Sequence, residues 1–144
     1  MPIMGISLEA TTTFESEYDS AKGTPEATKF KLGTLDSRIY GRLKDQSTSI
    51  TIDPQKAQEE IITNINANEV AFNTVVYGLR GWENFRDSEG NDIKFSTLKR
   101  THGDTSYRIT DPALVMMIPQ VIIQELAEAI RAANEMPEVE AKNS

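Results

Sequence analysis

The chain has 144 residues, one histidine, no cysteine and a formal net charge of −7 at pH 7. That length is one ordinary domain, able to bury roughly two thirds of its unfolded surface, so a core needs neither metal nor disulfide. The absence of cysteine excludes a disulfide framework, thiolate metal ligation and a cysteine nucleophile, and the acidic balance disfavours nucleic acid as a partner.

Residues 1–26 are rich in Ser, Thr and Glu, with five acids against the single Lys22, and read as a partly ordered N-terminal arm ahead of one globular domain over 27–136. Thr28, Phe30 and Leu32 alternate with Lys29 and Lys31, the period of a half-buried strand over 28–32. Asp36 caps a helix over 36–45 with Ile39, Tyr40 and Leu43 inward, where Gly41 costs about 1 kcal/mol relative to alanine. A second alternation, Ile50 and Ile52 against Ser49 and Thr51, predicts a strand over 48–52. Asp53-Pro54 then opens a helix over 54–65.

Asn64, Asn66 and Asn68 are three poor helix formers in five residues, so the pattern predicts a break or kink there. The Asn66 and Glu69 pair has the spacing of a reciprocal cap for a new helix over 67–80, with Phe72, Val75, Val76 and Leu79 on one face. Gly81 fits the position past its end, leaving Trp82 to fold back on Tyr77. Turn residues from Arg86 to Asp92 lead into a short strand over 93–95, and the polar stretch Lys99 to Arg108 reads as a loop feeding a strand over 105–109. Asp111-Pro112 starts a last helical stretch over 112–134, with Val115, Ile118, Ile122, Leu126, Ala129, Ile130 and Ala133 as its apolar stripe. Pro119 either kinks it or divides it into two helices. Residues 137–144 form a polar tail. The resulting fold class is α+β, a small antiparallel sheet packed with helices.

Chemistry finds little footing. The Asp87 to Asp92 run imitates a calcium loop, but that register places Asp92 where glycine is needed and Leu98 where a bidentate glutamate is needed. His102 beside Asp104 has no nucleophile in an activating turn nearby, and the glycines at 78, 81, 90 and 103 make no phosphate-binding spacing. The reading is therefore a protein without cofactor, metal or catalytic residues. The longest apolar run, Ala113 to Ile118, is far below the ~20 residues of a membrane span, and the first ten residues lack the basic start of an export signal.

Binding surfaces remain. Met116, Met117, Val121 and Ile123 lie off the apolar stripe of the last helices. A helix buried on two sides within its own domain accounts for them on patterning alone, and an exposed patch for a partner helix is the sharper account. Trp82 and Phe85 are the other candidate contact residues.

The order of short motifs resembles small tailed-bacteriophage morphogenesis proteins, the tail assembly chaperone-like family in particular. The pieces are Thr28, Phe30 and Leu32; Lys44-Asp45; Gly78-Leu-Arg-Gly-Trp82-Glu-Asn-Phe85-Arg-Asp87-Ser-Glu-Gly90-Asn; Ile118-Pro119; Glu125-Leu126-Ala127; Asn134; and Lys142-Asn143. The resemblance implies a non-enzymatic, oligomeric protein of the infected bacterial cytoplasm that covers apolar helices of the tape-measure protein and yields to tail-tube subunits. A structural virion component contacting neighbouring head, connector or tail subunits is the alternative, and a small inhibitor of a host protein the third reading.

Overall fold

The structure is a computed structural model that describes residues 2–3, 5–48 and 56–135; for 47–48 and 56–66 it describes the helical backbone alone. Its elements run β1 (Thr11–Phe14), β2 (Lys29–Gly33), α1 (Ser37–Thr48), α2 (Lys56–Gly78), β3 (Leu79–Glu83), β4 (Thr97–His102), β5 (Thr105–Thr110), α3 (Pro112–Val115) and α4 (Gln120–Asn134). The class is α+β, with a three-stranded antiparallel sheet of order β1-β2-β3 and a separate β4-β5 hairpin.

The alternation that defines β2 places Phe30 and Leu32 in the core and turns Lys31 to solvent. On one side β2 pairs with β1, Phe14 opposite Phe30, so part of the stretch read as an arm is an edge strand. The same stretch is tied further on, where Ser16 Oγ and the Glu17 N–H both donate to the Glu125 carboxylate of α4. On the other side β2 pairs with β3, Lys31 opposite Gly81 and Leu32 opposite Leu79, so Arg80 is the extra residue of a bulge. The Arg80 guanidinium donates to the carbonyls of Tyr77 and Thr34 and covers Gly33, where a Cβ would lie 2.6 Å from its Nε.

Helix α2 corrects the expectation of two helices over 54–65 and 67–80. One helix runs from Lys56 to Gly78 without a break at the asparagines, and position 66 lies inside it rather than at its start. Tertiary contacts offset the low propensity: Asn68 Oδ1 accepts from Gln120 at 3.4 Å and Gln124 at 3.0 Å, and Asn73 donates to Gln46 at 3.4 Å. The helix passes into β3 with no loop between them, so Leu79 and Arg80 are strand residues and Gly81 is paired in the sheet. Trp82 accordingly packs away from Tyr77, edge-on to Phe95 at 4.9 Å, beside Phe85 at 4.9 Å and Phe30 at 6.5 Å.

Residues 93–95 are also corrected, because they form no strand. The Ile93 N–H donates to the Phe85 carbonyl and the Ile93 carbonyl accepts the Trp82 indole N–H at 2.7 Å, closing a short turn-bearing excursion. Within it Asp87 accepts from the backbone of Glu89 and Asn91, and Arg86 pairs with Asp92 at 3.0 Å. Asn84 opens it at φ +58°, an unusual conformation held by its side-chain bonds to the carbonyls of Pro25 and Ala27 at 3.1 Å each.

The stretch from 99 to 108, read as a loop, is mostly β4 and β5, joined by a two-residue turn with Gly103 at φ +59°. The expected strand over 105–109 is β5. Its Thr110 donates from Oγ1 to the Leu79 carbonyl at 3.0 Å, which fastens the hairpin to β3 inside the core. Asp36 caps α1 through Oδ1 to the Ile39 N–H at 2.8 Å, and Asp111 caps α3 through the Ala113 N–H at 3.0 Å. Pro119 divides the last stretch into α3 and α4. The strand expected over 48–52 meets Thr48, the end of α1, and otherwise lies outside the described residues, as do the Asp53-Pro54 cap and the tail over 137–144.

Candidate functional site

Dividing the chain at Pro119 changes which side chains share a face. Stepping by three and four across the proline treats two helices as one; the phase restarts at Gln120, and α4 buries Ile123, Leu126, Ala127 and Ile130 while Ala133 faces solvent. Ile123, placed among the contact candidates by that stepping, is 3% exposed and belongs to the core. Met116, Met117 and Val121 are 71%, 49% and 43% exposed. They crown the corner between α3 and α4, whose Val115 and Ile118 point inward. The result is an open apolar corner formed from unbranched, polarisable methionines and one β-branched side chain.

Trp82 and Phe85 are half-buried members of the aromatic group around Phe30 and Phe95. With its indole N–H taken by Ile93, Trp82 holds the excursion between Asn84 and Phe95 against the sheet.

A second feature gathers residues that sequence spacing could not relate. Arg42 from α1, Asn73 and Tyr77 from α2, and Arg100 and His102 from β4 line a cleft of about 530 Å³. Arg42 can only donate, so its 2.6 Å contact makes His102 Nδ1 an acceptor and leaves the proton of the neutral ring on Nε2, which donates to Tyr77 Oη. Arg100 Nη1 reaches the same hydroxyl oxygen at 3.5 Å, its guanidinium 5.8 Å from the Tyr77 ring centroid. Burial, with the positive charges of Arg42 and Arg100 behind it, lowers the His102 pKa below the usual imidazole value. Tyr107 closes the aromatic side, 5.7 Å from His102 and 6.0 Å from Tyr77.

His102 is half-buried at the surface and hydrogen-bonded through both ring nitrogens. Its partners are Arg42 and Tyr77, and no described hydrogen bond joins it to Asp104. With both ring nitrogens engaged, it has no free lone pair to deprotonate a nucleophile. Among the described residues no three His, Asp or Glu side chains cluster as a metal site would require, and no helix is long and apolar enough to cross a membrane.

Fold and surface together define a small α+β protein with an open apolar corner and a cationic cleft. Compared with protein-family models, curated proteins and solved structures, the chain finds no match in any of the three.

Proposed function

We infer that this is a non-enzymatic bacteriophage assembly protein, a tail assembly chaperone that shields apolar helices of the tape-measure protein until tail-tube subunits replace it. The carrying observation is the corner formed by Met116, Met117 and Val121, exposed beside neighbours that are fully buried. A chaperone for long amphipathic helices needs an apolar, adaptable seat on an otherwise well-solvated body, and the net charge of −7 supplies the second condition. The motif order from Thr28 to Asn143 supplies the phage context, and with it the host cytoplasm as the place of action.

The test is co-expression with the phage's own tape-measure protein. The native chain should keep that partner soluble and co-purify with it, and a variant carrying Met116→Ser, Met117→Ser and Val121→Ser should lose it while melting within a few degrees of the parent. Equal capture by that variant rejects the reading. A structural virion subunit is the second reading, favoured by Ile3, Ile6 and Leu8, apolar and exposed on the N-terminal segment as an arm for a neighbouring subunit would be. Mass spectrometry of purified particles separates the two: a chaperone is absent from mature virions, and stoichiometric presence assigns the chain to the particle.

A further inference from the structure

We propose that the cleft between α1, α2 and β4 is a binding site for an oxyanion, a carboxylate or phosphate group held between the guanidiniums of Arg42 and Arg100. The hydrogen-bond logic there ends in donors. Arg42 donates to His102 Nδ1, His102 donates from Nε2 to Tyr77 Oη, and Arg100 donates to the same oxygen. With two donors already on that oxygen, the Tyr77 hydroxyl proton has no acceptor among the described residues, and neither do the remaining N–H groups of the two arginines inside the cleft.

Charge points the same way. In a chain with 22 acids and 15 lysines and arginines, a guanidinium would be expected to find a carboxylate nearby. Yet no described ion pair includes Arg42 or Arg100, although Asp45 stands on the same cleft. Two guanidiniums without an ion pair among the described residues, one from a helix and one from a strand, line one cleft of about 530 Å³, ample for an oxyanion with an attached chain. A planar fork of N–H groups suits the two oxygens of a carboxylate or phosphate. The anion takes the donors left over and neutralises the pair; His102, neutral and locked in one tautomer, orients Arg42 as a positioning residue.

The experiment is an NMR titration of the full chain that follows the His102 ring protons, with sodium phosphate in one series, a neutral-capped glutamate peptide in another and sodium chloride as the ionic-strength control. A saturable shift with phosphate or with the peptide, absent with chloride, is the expected result, and the series that saturates at lower concentration identifies the source of the oxyanion. Bound anion should also raise the His102 pKa, which burial and then the charges of Arg42 and Arg100 lower in the free protein; Asp45, Tyr77 and Tyr107 are the other titratable groups around the cleft. Arg42→Gln and Arg100→Gln should each weaken binding about tenfold, the loss of one charge-assisted contact, with Arg42→Lys and Arg100→Lys between them and the parent. Shifts that never saturate beyond the chloride control, or saturation that survives both glutamine substitutions together, overturn the proposal. Melting curves certify that each variant is folded, and the lysine variants carry the comparison if a glutamine variant is not.

Discussion

At His102 both ring nitrogens are committed, and the commitment has a sign. A protonated ring would aim an Nδ1–H at the Arg42 N–H and add a third positive charge beside Arg42 and Arg100, so the folded state resists protonation. The folded pKa is therefore depressed below the unfolded value near 6.5. Between those two values the unfolded chain binds more protons, so this contribution to stability is complete above about pH 6.5 and fades as the pH falls through that value towards the folded pKa. Because the chain has a single histidine, its ring resonances report this directly; a midpoint at or above 6.5 in the free protein would contradict the arrangement. Thr110 gives a second single-residue prediction. Its buried hydroxyl donates to the Leu79 carbonyl, and Thr110→Val should cost about 1 kcal/mol, read as a lower denaturation midpoint at unchanged slope.

Elements meet where small side chains or paired polar groups let them. Gly78 ends α2 against α4, and a Cβ there would lie 2.6 Å from Ile130 Cδ1 and 2.7 Å from Cγ2 of a fully buried side chain. Gly78→Ala should destabilise by about 1–3 kcal/mol, the usual cost of overpacking, although alanine is the better helix former. A melting temperature equal to the parent's would show that the two helices can separate freely. The β1 to β2 connection is held to α4 by one carboxylate, so Glu125→Ala should speed amide exchange at residues 16–28 while leaving α2 protected. Exchange raised uniformly along the chain would mean that Glu125 supports the whole fold rather than this segment. Local pattern reveals some of these elements. Phe30 and Leu32 mark β2, and Asp36 and Asp111 mark the starts of α1 and α3, because strand alternation and N-caps are set within a few residues. The β4–β5 hairpin carried a usable signal in Gly103-Asp104, a two-residue turn flanked by alternating side chains, masked by the polarity of a solvent-facing ribbon.

Across the molecule the two sheets share one core. Leu79 of β3 and Ile109 of β5 belong to the same buried cluster as Val75, Leu126 and Ile130, and Asn134 binds both backbone groups of Leu35, joining the end of α4 to the segment before α1. A shared core predicts one cooperative unfolding transition, in which Trp82 fluorescence and far-ultraviolet circular dichroism share a midpoint. Separate midpoints would divide the hairpin from the three-stranded sheet. The sequence alone determined what depends on near neighbours and totals: an acidic α+β domain, strand β2, helix α1 and the interruption at Pro119. Tertiary structure decided what depends on distant partners. Asn68 stays helical because Gln120 and Gln124 bind it, Leu79 leaves the helix pattern because β2 offers backbone partners, and Ile123 turns inward because Pro119 resets the phase of α4. The cleft of Arg42, Tyr77, Arg100 and His102 belongs wholly to that second group, since its members are up to 60 positions apart and no local periodicity relates them.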